Sequence, residues 1–375
     1  MSLSAAPPPL GIVDKIRRLN IGLIVLLIAI ACIGVAALYS AGRGPEPWAV
    51  AHIKRFGMAL LVLLVVALID IRVWLAIAYP AYAISLLLLV AVDAMGKTGM
   101  GAQRWLDLKL FQLQPSELMK IAVILAMARY YHFLKPENVG KLLWVIPPVL
   151  MIVVPVGLVM VQPDLGTALM LLFGGGAFLF VAGVRLWKFA LGIVAGLAAL
   201  PIGWSFMREY QRNRILTFLD PDRDPLGTGY HITQSKIAIG SGGLWGKGWM
   251  QGTQSGLNFL PEKQTDFVFT LWTEETGLAG AALLLGLFVL VLLYGYAIAL
   301  RCRHHFGRLL AMGITITLFL YVFINTAMVM GLIPVVGVPL PLVSYGGTAM
   351  LSVLFACGLL IGVNVHRDVQ ISRGR

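Results

Sequence analysis

The side chains in this sequence that could do chemistry are a few carboxylates and cations set in or beside long apolar runs. Asp266 closes the stretch Phe259-Leu260-Pro261-Glu262-Lys263-Gln264-Thr265-Asp266-Phe267, and an apolar helical run begins almost at once. A carboxylate at such a boundary can accept a proton or hold a divalent cation. The plainer alternative is that Thr265 or Asp266 caps the helix. Glu274 and Glu275 follow two turns further in. At about 100° per residue they lie about 80° and about 180° from Asp266 around the helix, so a paired-carboxylate site of the glycosidase kind is a poor reading.

A second polar point is Gln114-Pro115-Ser116-Glu117-Leu118-Met119-Lys120. Pro115 suits a first helical turn, and Glu117 and Lys120 are then i,i+3 neighbours. A charge inside a membrane usually faces protein or a water-filled cavity; the alternative is a self-neutralising pair near the interface, with Lys120 reaching outward. Asp164, in Gln162-Pro163-Asp164-Leu165-Gly166-Thr167, has helix capping as its bland role. Trp105, beside Arg104, has membrane-interface anchoring.

Other motifs fall away. The Gly-rich segment 240–248 is not a phosphate loop: Ser241 stands five before Gly246, and Gly248 follows Lys247 where Ser or Thr is required. His231 has no Cys or His at ligand spacing, which argues against zinc. The three cysteines, two in apolar runs and Cys302 in a basic loop, predict no disulfide.

The elements that must position these residues are membrane helices. Of 375 residues, 59% are hydrophobic and 12% charged, about half the charge of a soluble chain. Continuous apolar runs favour helices over the alternating strands of a barrel. Ten spans are expected, at 20–40, 53–70, 73–92, 115–133, 143–161, 165–184, 187–206, 267–299, 309–331 and 348–366. The first is read as a retained helix, since it is longer than a signal-peptide core and lacks a clean cleavage site. The eighth exceeds what a bilayer needs, so tilt or protrusion is expected.

The net charge of +12 is spread over short loops, among them Lys15-Arg17-Arg18, Arg129-Lys135-Lys141 and Arg301-Arg303-Arg308. That is the pattern of a cytoplasmic face rather than of nucleic-acid binding. Both termini are then inside. The long polar stretch 207–266, rich in Trp, Tyr and Gly and without evident hydrophobic period, is one large extracytoplasmic loop within a single membrane domain spanning 1–375. Gly331 to Gly347, with repeated Pro and Gly at membrane depth, must be buried in protein or line a cavity. The polar features therefore gather on the outer side.

At this point the residues resemble the shape, elongation, division and sporulation family. The resemblance rests on Tyr210-Gln211-Arg212-x-Arg214-Ile215-Leu216, Asp224-Pro225-x-Gly227-x-Gly229-Tyr230-His231, Gln234-Ser235-x-Ile237-Ala238-Ile239-Gly240-Ser241-Gly242-Gly243, Gly252-Thr253-Gln254, Phe259-Leu260-Pro261-Glu262 and Thr265-Asp266-Phe267. The run Val335 to Gly347, with Pro339, Pro341 and Ser344, looks more like the elongation branch than the division branch. The resemblance implies an all-α polytopic protein of the bacterial cytoplasmic membrane. Its implied activity is inverting glycosyl transfer that polymerises lipid II on the outer face, with a polyprenyl-pyrophosphate leaving group. It also implies a class B penicillin-binding protein as crosslinking partner, alongside lipid II, nascent glycan and elongation-complex membrane proteins.

By motif position Asp266 matches the family's essential aspartate. Trp105 and Arg55 match outer-loop positions, and Glu117 and Lys120 the polar pair of the fourth span. The chemistry needs a base for the acceptor hydroxyl and cations for the pyrophosphate. Asp266 is the expected base, or else the ligand of a divalent cation such as Mg or Mn. The expected substrate contacts are Lys120, Glu117, Trp105, Arg104, Arg55, Asp164, Arg212, Arg214, Lys263 and Ser344. Gln264 stands where many members have histidine, so that histidine is not essential here. A lipid flippase, or a noncatalytic scaffold for a penicillin-binding protein, are the rival classes.

Overall fold

The computed structural model describes residues 11–95, 97–99, 102–107, 112–207, 209–220, 228–256, 259 and 262–372. In chain order the elements are α1 (Ile12–Arg17), α2 (Ile21–Gly42), α3 (Trp48–Leu68), α4 (Ile71–Met95), β1 (Lys97–Gly99), β2 (Ala102–Asp107), β3 (Gln112–Leu113), α5 (Pro115–Phe133), α6 (Leu142–Val161), α7 (Leu165–Val181), α8 (Leu186–Phe206), α9 (Glu209–Leu219), α10 (Thr228–Ser241), α11 (Thr253–Gly256), α12 (Val268–Arg301), α13 (His305–Val329) and α14 (Gly347–Val365), with one 3-10 turn (Pro136–Asn138).

Every expected span falls on a helix. Seven are long and apolar enough to cross a membrane by length and composition. The other three explain themselves. The helix α5 carries Glu117, Lys120 and Arg129, α7 has 17 residues, and the apolar part of α8 runs over Leu186–Ala199. Helix α5 is central: it packs against α4, α6, α7, α13 and α14 and is buried on nearly every face. A helix enclosed by protein can carry charges that a lipid-facing one cannot. Helices α3 and α14 form another closely packed pair.

Two segments expected on the outer side differ from the sequence reading. The loop before α5 folds as a three-stranded antiparallel sheet in the order β1-β2-β3, with Lys97 opposite Trp105 and Leu106 opposite Leu113. The fold is therefore helical with a small antiparallel sheet. The large loop does have a period. In α10 the residues Ile232, Ser235 and Ala238 are buried against α12, and the Ser235 hydroxyl donates to Val329 O at 2.7 Å and meets Thr270 Oγ1 at 2.7 Å. A stripe this small and half polar has little hydrophobic signature.

The eighth span, expected to tilt or protrude, contains a break. Within α12, Gly277 has φ 69 and ψ −165, a conformation open to glycine. The peptide groups it releases are met by the Gly-rich segment. Leu278 N donates to Gly243 O (2.9 Å), Ala279 N to Leu244 O (3.1 Å), Lys247 N to Glu274 O (3.1 Å) and Gly248 N to Glu275 O (3.0 Å). A Cβ on Gly277 would sit 2.3 Å from Gly246 N, and one on Gly246 would sit 2.1 Å from Glu275 O. The glycines at 240–248 thus serve backbone packing. The residues before the break, Val268 to Glu275, are almost all buried in protein. The stretch beyond it to Arg301, ~36 Å at 1.5 Å per residue, suffices to span a bilayer.

Candidate active site

Asp266 lies in a turn at 262–267 just before α12. Thr265 N and Phe267 N both donate to Glu262 O, at 3.0 and 3.3 Å, and the Thr265 hydroxyl donates to Glu262 Oε2 at 2.7 Å. The N-cap of α12 is Phe267, with no side-chain cap bond, so neither Thr265 nor Asp266 caps this helix. The Asp266 carboxylate is left for other work.

The Pro- and Gly-rich segment after α13 holds this turn from below. Ser344 Oγ donates to Thr265 O at 2.6 Å and accepts from Leu340 N at 2.8 Å. Tyr345 N donates to Gln264 O at 2.8 Å. Asn325 Nδ2 donates to Asp266 O at 3.0 Å and to Val338 O at 2.7 Å. Gly337, with φ 72, borders the carboxylate itself: a Cβ there would stand 3.4 Å from Asp266 Oδ2. Of the two expectations for this irregular backbone, burial in protein holds: Val335, Val336, Val338, Leu340, Leu342 and Val343 are buried, and the segment forms a shelf that positions the turn.

Asp266 is half-buried. Burial pushes its carboxyl up to about 6; Glu262 adds to the rise, Arg214 and Arg104 oppose it, and Asp164 adds a smaller rise. Apart from Glu262 of the same turn, these groups come from three other segments, β2, α9 and the start of α7, and their convergence defines the site. Arg104 on β2 donates to Pro163 O and stands 3.9 Å from Asp164 Oδ1. Arg214 on α9 donates to Val335 O at 3.2 Å. Asp164 caps α7, accepting from Thr167 N (3.2 Å) and Thr167 Oγ1 (3.0 Å), and also accepts from Gln114 Nε2 at 3.3 Å. Capping and orientation of Arg104 occupy Asp164, so it acts through its neighbours.

Beneath lies the polar pair of α5. Lys120 Nζ bonds Glu117 Oε1 at 2.7 Å, Tyr321 OH donates to Glu117 Oε2 at 2.5 Å, and Lys120 also bonds the Tyr321 hydroxyl. Glu117 and Lys120 are 4% and 5% exposed, and the void beside them is about 10 Å³, room for roughly one water. Neither an open cavity nor outward reach describes this pair; it is enclosed and satisfied by α13.

The remaining expected contacts are placed differently. Arg55 lies over the Tyr345 ring, 4.4 Å from its centroid, and so braces the residue that holds Gln264. Ser344 is buried, with both bonds inside the protein, and positions the turn rather than meeting a substrate. Trp105 is half-buried on β2. Arg212 donates to Trp204 O and Ser205 O at 2.9 and 2.8 Å, tying α8 to α9 instead of joining Asp266. Lys263 shares the turn but faces Arg43 and Glu275, and burial together with Arg43 holds its ammonium below the ordinary lysine value. Glu274 and Glu275 diverge as the helical angles require: Glu274 pairs with Lys247 at 2.8 Å, and the Ser40 hydroxyl bonds Glu275. Sequence reasoning missed Tyr321, Asn325 and the role of Glu262. Tyr321 and Asn325, four residues apart on one face of an apolar helix, were the available signal.

The family described as cell cycle protein, comprising FtsW, RodA and SpoVE, matches residues 16–369. The chain belongs to this family. It is 44% identical over 361 residues to the peptidoglycan glycosyltransferase MrdB of Escherichia coli (strain K12), covering 95% of this chain and 96% of that protein. It is 36% identical over 368 residues to a probable peptidoglycan glycosyltransferase FtsW of Geobacter sulfurreducens, covering 94% and 97%. The fold matches a chain of a solved peptidoglycan synthase complex, described as coordinating polymerization and crosslinking, with TM-score 0.77, 35% identity and coverage of 93% and 98%. It also matches the crystal structure of the rod shape determining protein RodA of Thermus thermophilus, with TM-score 0.71, 31% identity and coverage of 93% and 97%. This member is a multi-pass, predominantly helical membrane protein with a small antiparallel sheet.

Proposed function

We propose that this chain is a peptidoglycan glycosyltransferase that polymerises lipid II at the outer face of the bacterial cytoplasmic membrane during cell elongation, with Asp266 as general base. The observation that carries the mechanism is the Asp266 carboxylate itself: free of capping duty, held rigid by the Ser344 shelf, and pushed up to about 6. A carboxylate so placed is ionised at neutral pH, yet basic enough to take a hydroxyl proton. The reaction is a single inverting displacement. The acceptor sugar oxygen forms the new bond to the anomeric carbon as its proton passes to Asp266, and the bond to the lipid pyrophosphate breaks. Arg104 and Arg214 supply positive charge for the departing pyrophosphate.

A divalent cation at this corner would depend on substrate phosphates for most of its ligands, since among the described residues no group of three or more His, Cys, Asp or Glu is placed to hold one. Asp266 and Glu262 are the carboxylates that would hold it, and small hard cations are commonly bound by one or two carboxylates plus substrate phosphates. It would supply further charge neutralisation for the leaving group.

The partner reading is a class B penicillin-binding protein. The likeness to a chain of a synthase complex supports it. A flippase needs polar groups along a path through both leaflets; here the charged pair of α5 is enclosed with Tyr321. The test is purified protein with lipid II, without other polymerases. Glycan strands are the expected product, abolished by Asp266→Asn. No polymer, with or without a penicillin-binding protein, sinks the catalytic reading and favours the scaffold.

A further inference from the structure

Lys263 and Asp266 are three residues apart but face different surroundings. The charges acting on Asp266 are Glu262, Arg214, Arg104 and Asp164; those acting on Lys263 are Arg43 and Glu275. Lys263 belongs to a separate pocket of about 270 Å³ at the outer ends of α2 and α3, lined by Ala41, Gly42, Arg43, Trp48, Gly256 and Lys263 among others. That volume approaches the small-ligand range. Arg43 Nη2 donates to Gly256 O at 2.9 Å, which fixes a planar group with five donors. Arg43 also takes the left-handed conformation at the end of α2, φ 51, where glycine would be the unstrained choice. Strain of this kind at a charged residue is a reason to look for a function. Among the described lining residues the pocket carries two cations, Arg43 and Lys263, and no carboxylate.

We propose that this Arg43–Lys263 pocket binds the pyrophosphate headgroup of a second polyprenyl-linked saccharide. The proposal rests on the glycosyltransferase reading above. Polymerisation joins two lipid pyrophosphates, so two headgroups must be held at once. Only one of them leaves, at the Arg104–Arg214 side of the turn. The headgroup that stays needs its own cations, set apart from the base. Three residues of chain reach at most ~10 Å, so a saccharide anchored by its pyrophosphate at Lys263 can bring a far hydroxyl to Asp266. Trp48 gives the pocket an aromatic wall.

The experiment measures binding apart from turnover. The full chain is placed in zwitterionic lipid nanodiscs and titrated with farnesyl pyrophosphate, with stoichiometry read by native mass spectrometry. Two equivalents are expected. The double variant Arg43→Gln/Lys263→Gln should keep one and bind the other at least about tenfold more weakly, the scale of a lost charge-assisted contact. Arg43→Lys/Lys263→Arg should keep two, which guards against a folding defect in the glutamine pair. One equivalent in the unaltered chain, or two undiminished in the glutamine pair, overturns the proposal. So does binding at Arg43 and Lys263 by inorganic pyrophosphate but not by the lipid. If two equivalents bind and lipid II is not polymerised, the catalytic reading falls while the pocket stands.

Discussion

The Ser344 hydroxyl donates to the carbonyl of Thr265 at 2.6 Å, and that carbonyl belongs to the peptide leading into Asp266. Ser344 also accepts from Leu340 N at 2.8 Å, so one buried oxygen joins the shelf to the catalytic turn. Ser344→Ala leaves a buried N–H and a buried C=O without this partner, a loss of about 1–3 kcal/mol for such groups. The expected result is a fold that survives with a lowered melting temperature and a polymerisation rate down about tenfold or more, because the base is no longer held in register. Unchanged turnover in a measurably destabilised Ser344→Ala protein would separate the shelf from catalysis.

Asp266→Asn should abolish polymerisation and stabilise the protein. The folded-state value of about 6 lies above the 3.8 of a free aspartate, so folding binds the proton and ionisation works against the fold. That cost is absent below about pH 4 and fully developed above about pH 6. Asparagine removes it. Allowing for the solvent-accessible edge of the residue, the gain at pH 7.5 is about 1–2 kcal/mol, a rise of a few degrees in melting temperature that disappears at pH 4. A lower melting temperature for Asp266→Asn at pH 7.5 would show that the carboxylate stabilises the turn instead.

The same ionisation sets the pH profile. Activity should fall on the acid side with an apparent pKa near 6, as Asp266 becomes protonated and can no longer act as base. Glu262 is the largest charge raising that value. Glu262→Gln should therefore move the acid limb to lower pH, and Arg214→Gln should move it to higher pH. Limbs that shift together in one direction would mean that another group controls the profile.

What was legible in the sequence follows from the strength of each signal. Ten apolar runs predicted ten spans, and each falls on a helix, because lipid tolerates little else; the alternating loop charge adds an expected orientation. Asp266 was legible as a carboxylate at a boundary, but the capping alternative needed the backbone of Phe267 to be removed. Glu117 and Lys120 were legible as a pair; their enclosure was not, since Tyr321 sits about 200 residues away in sequence. The break at Gly277 was hidden because apolar residues continue on both sides of it. Its compensation came from glycines 243–248, whose hydrogen bonding leaves no compositional trace beyond the glycines themselves.

The break gives a structural prediction. Gly277 has positive φ and backbone of residues 244–246 within 2.6 Å of where a Cβ would stand. Gly277→Ala must either distort the helix or push the Gly-rich segment away, which frees the hydrogen bonds of Leu278 and Ala279. Severe destabilisation is expected, several kcal/mol from strain and unsatisfied peptide groups together. Protease nicking near 243–248 in sealed vesicles should rise with it. Gly286, with nothing near its added Cβ, is the control, and Gly286→Ala should be neutral or mildly stabilising. Equal behaviour of the two variants would argue against the clamp.

The enclosed pair beneath the site can be tested for more than packing. Lys120→Met keeps volume but leaves Glu117 without its cation, and breaking a buried pair in this way costs about 3–5 kcal/mol. Lost activity in that single variant would not separate structure from chemistry. The double variant Glu117→Gln/Lys120→Met removes both charges, and Gln can still accept from the Tyr321 hydroxyl, so most of the lost stability should return. If the pair served only to hold α5 against α13, activity would return with it. The expected outcome is a double variant that melts within a few degrees of the unaltered protein but polymerises at least about tenfold more slowly, because the charged pair bonded to Tyr321 is gone. Recovery of both stability and turnover would reduce Glu117 and Lys120 to a structural pair.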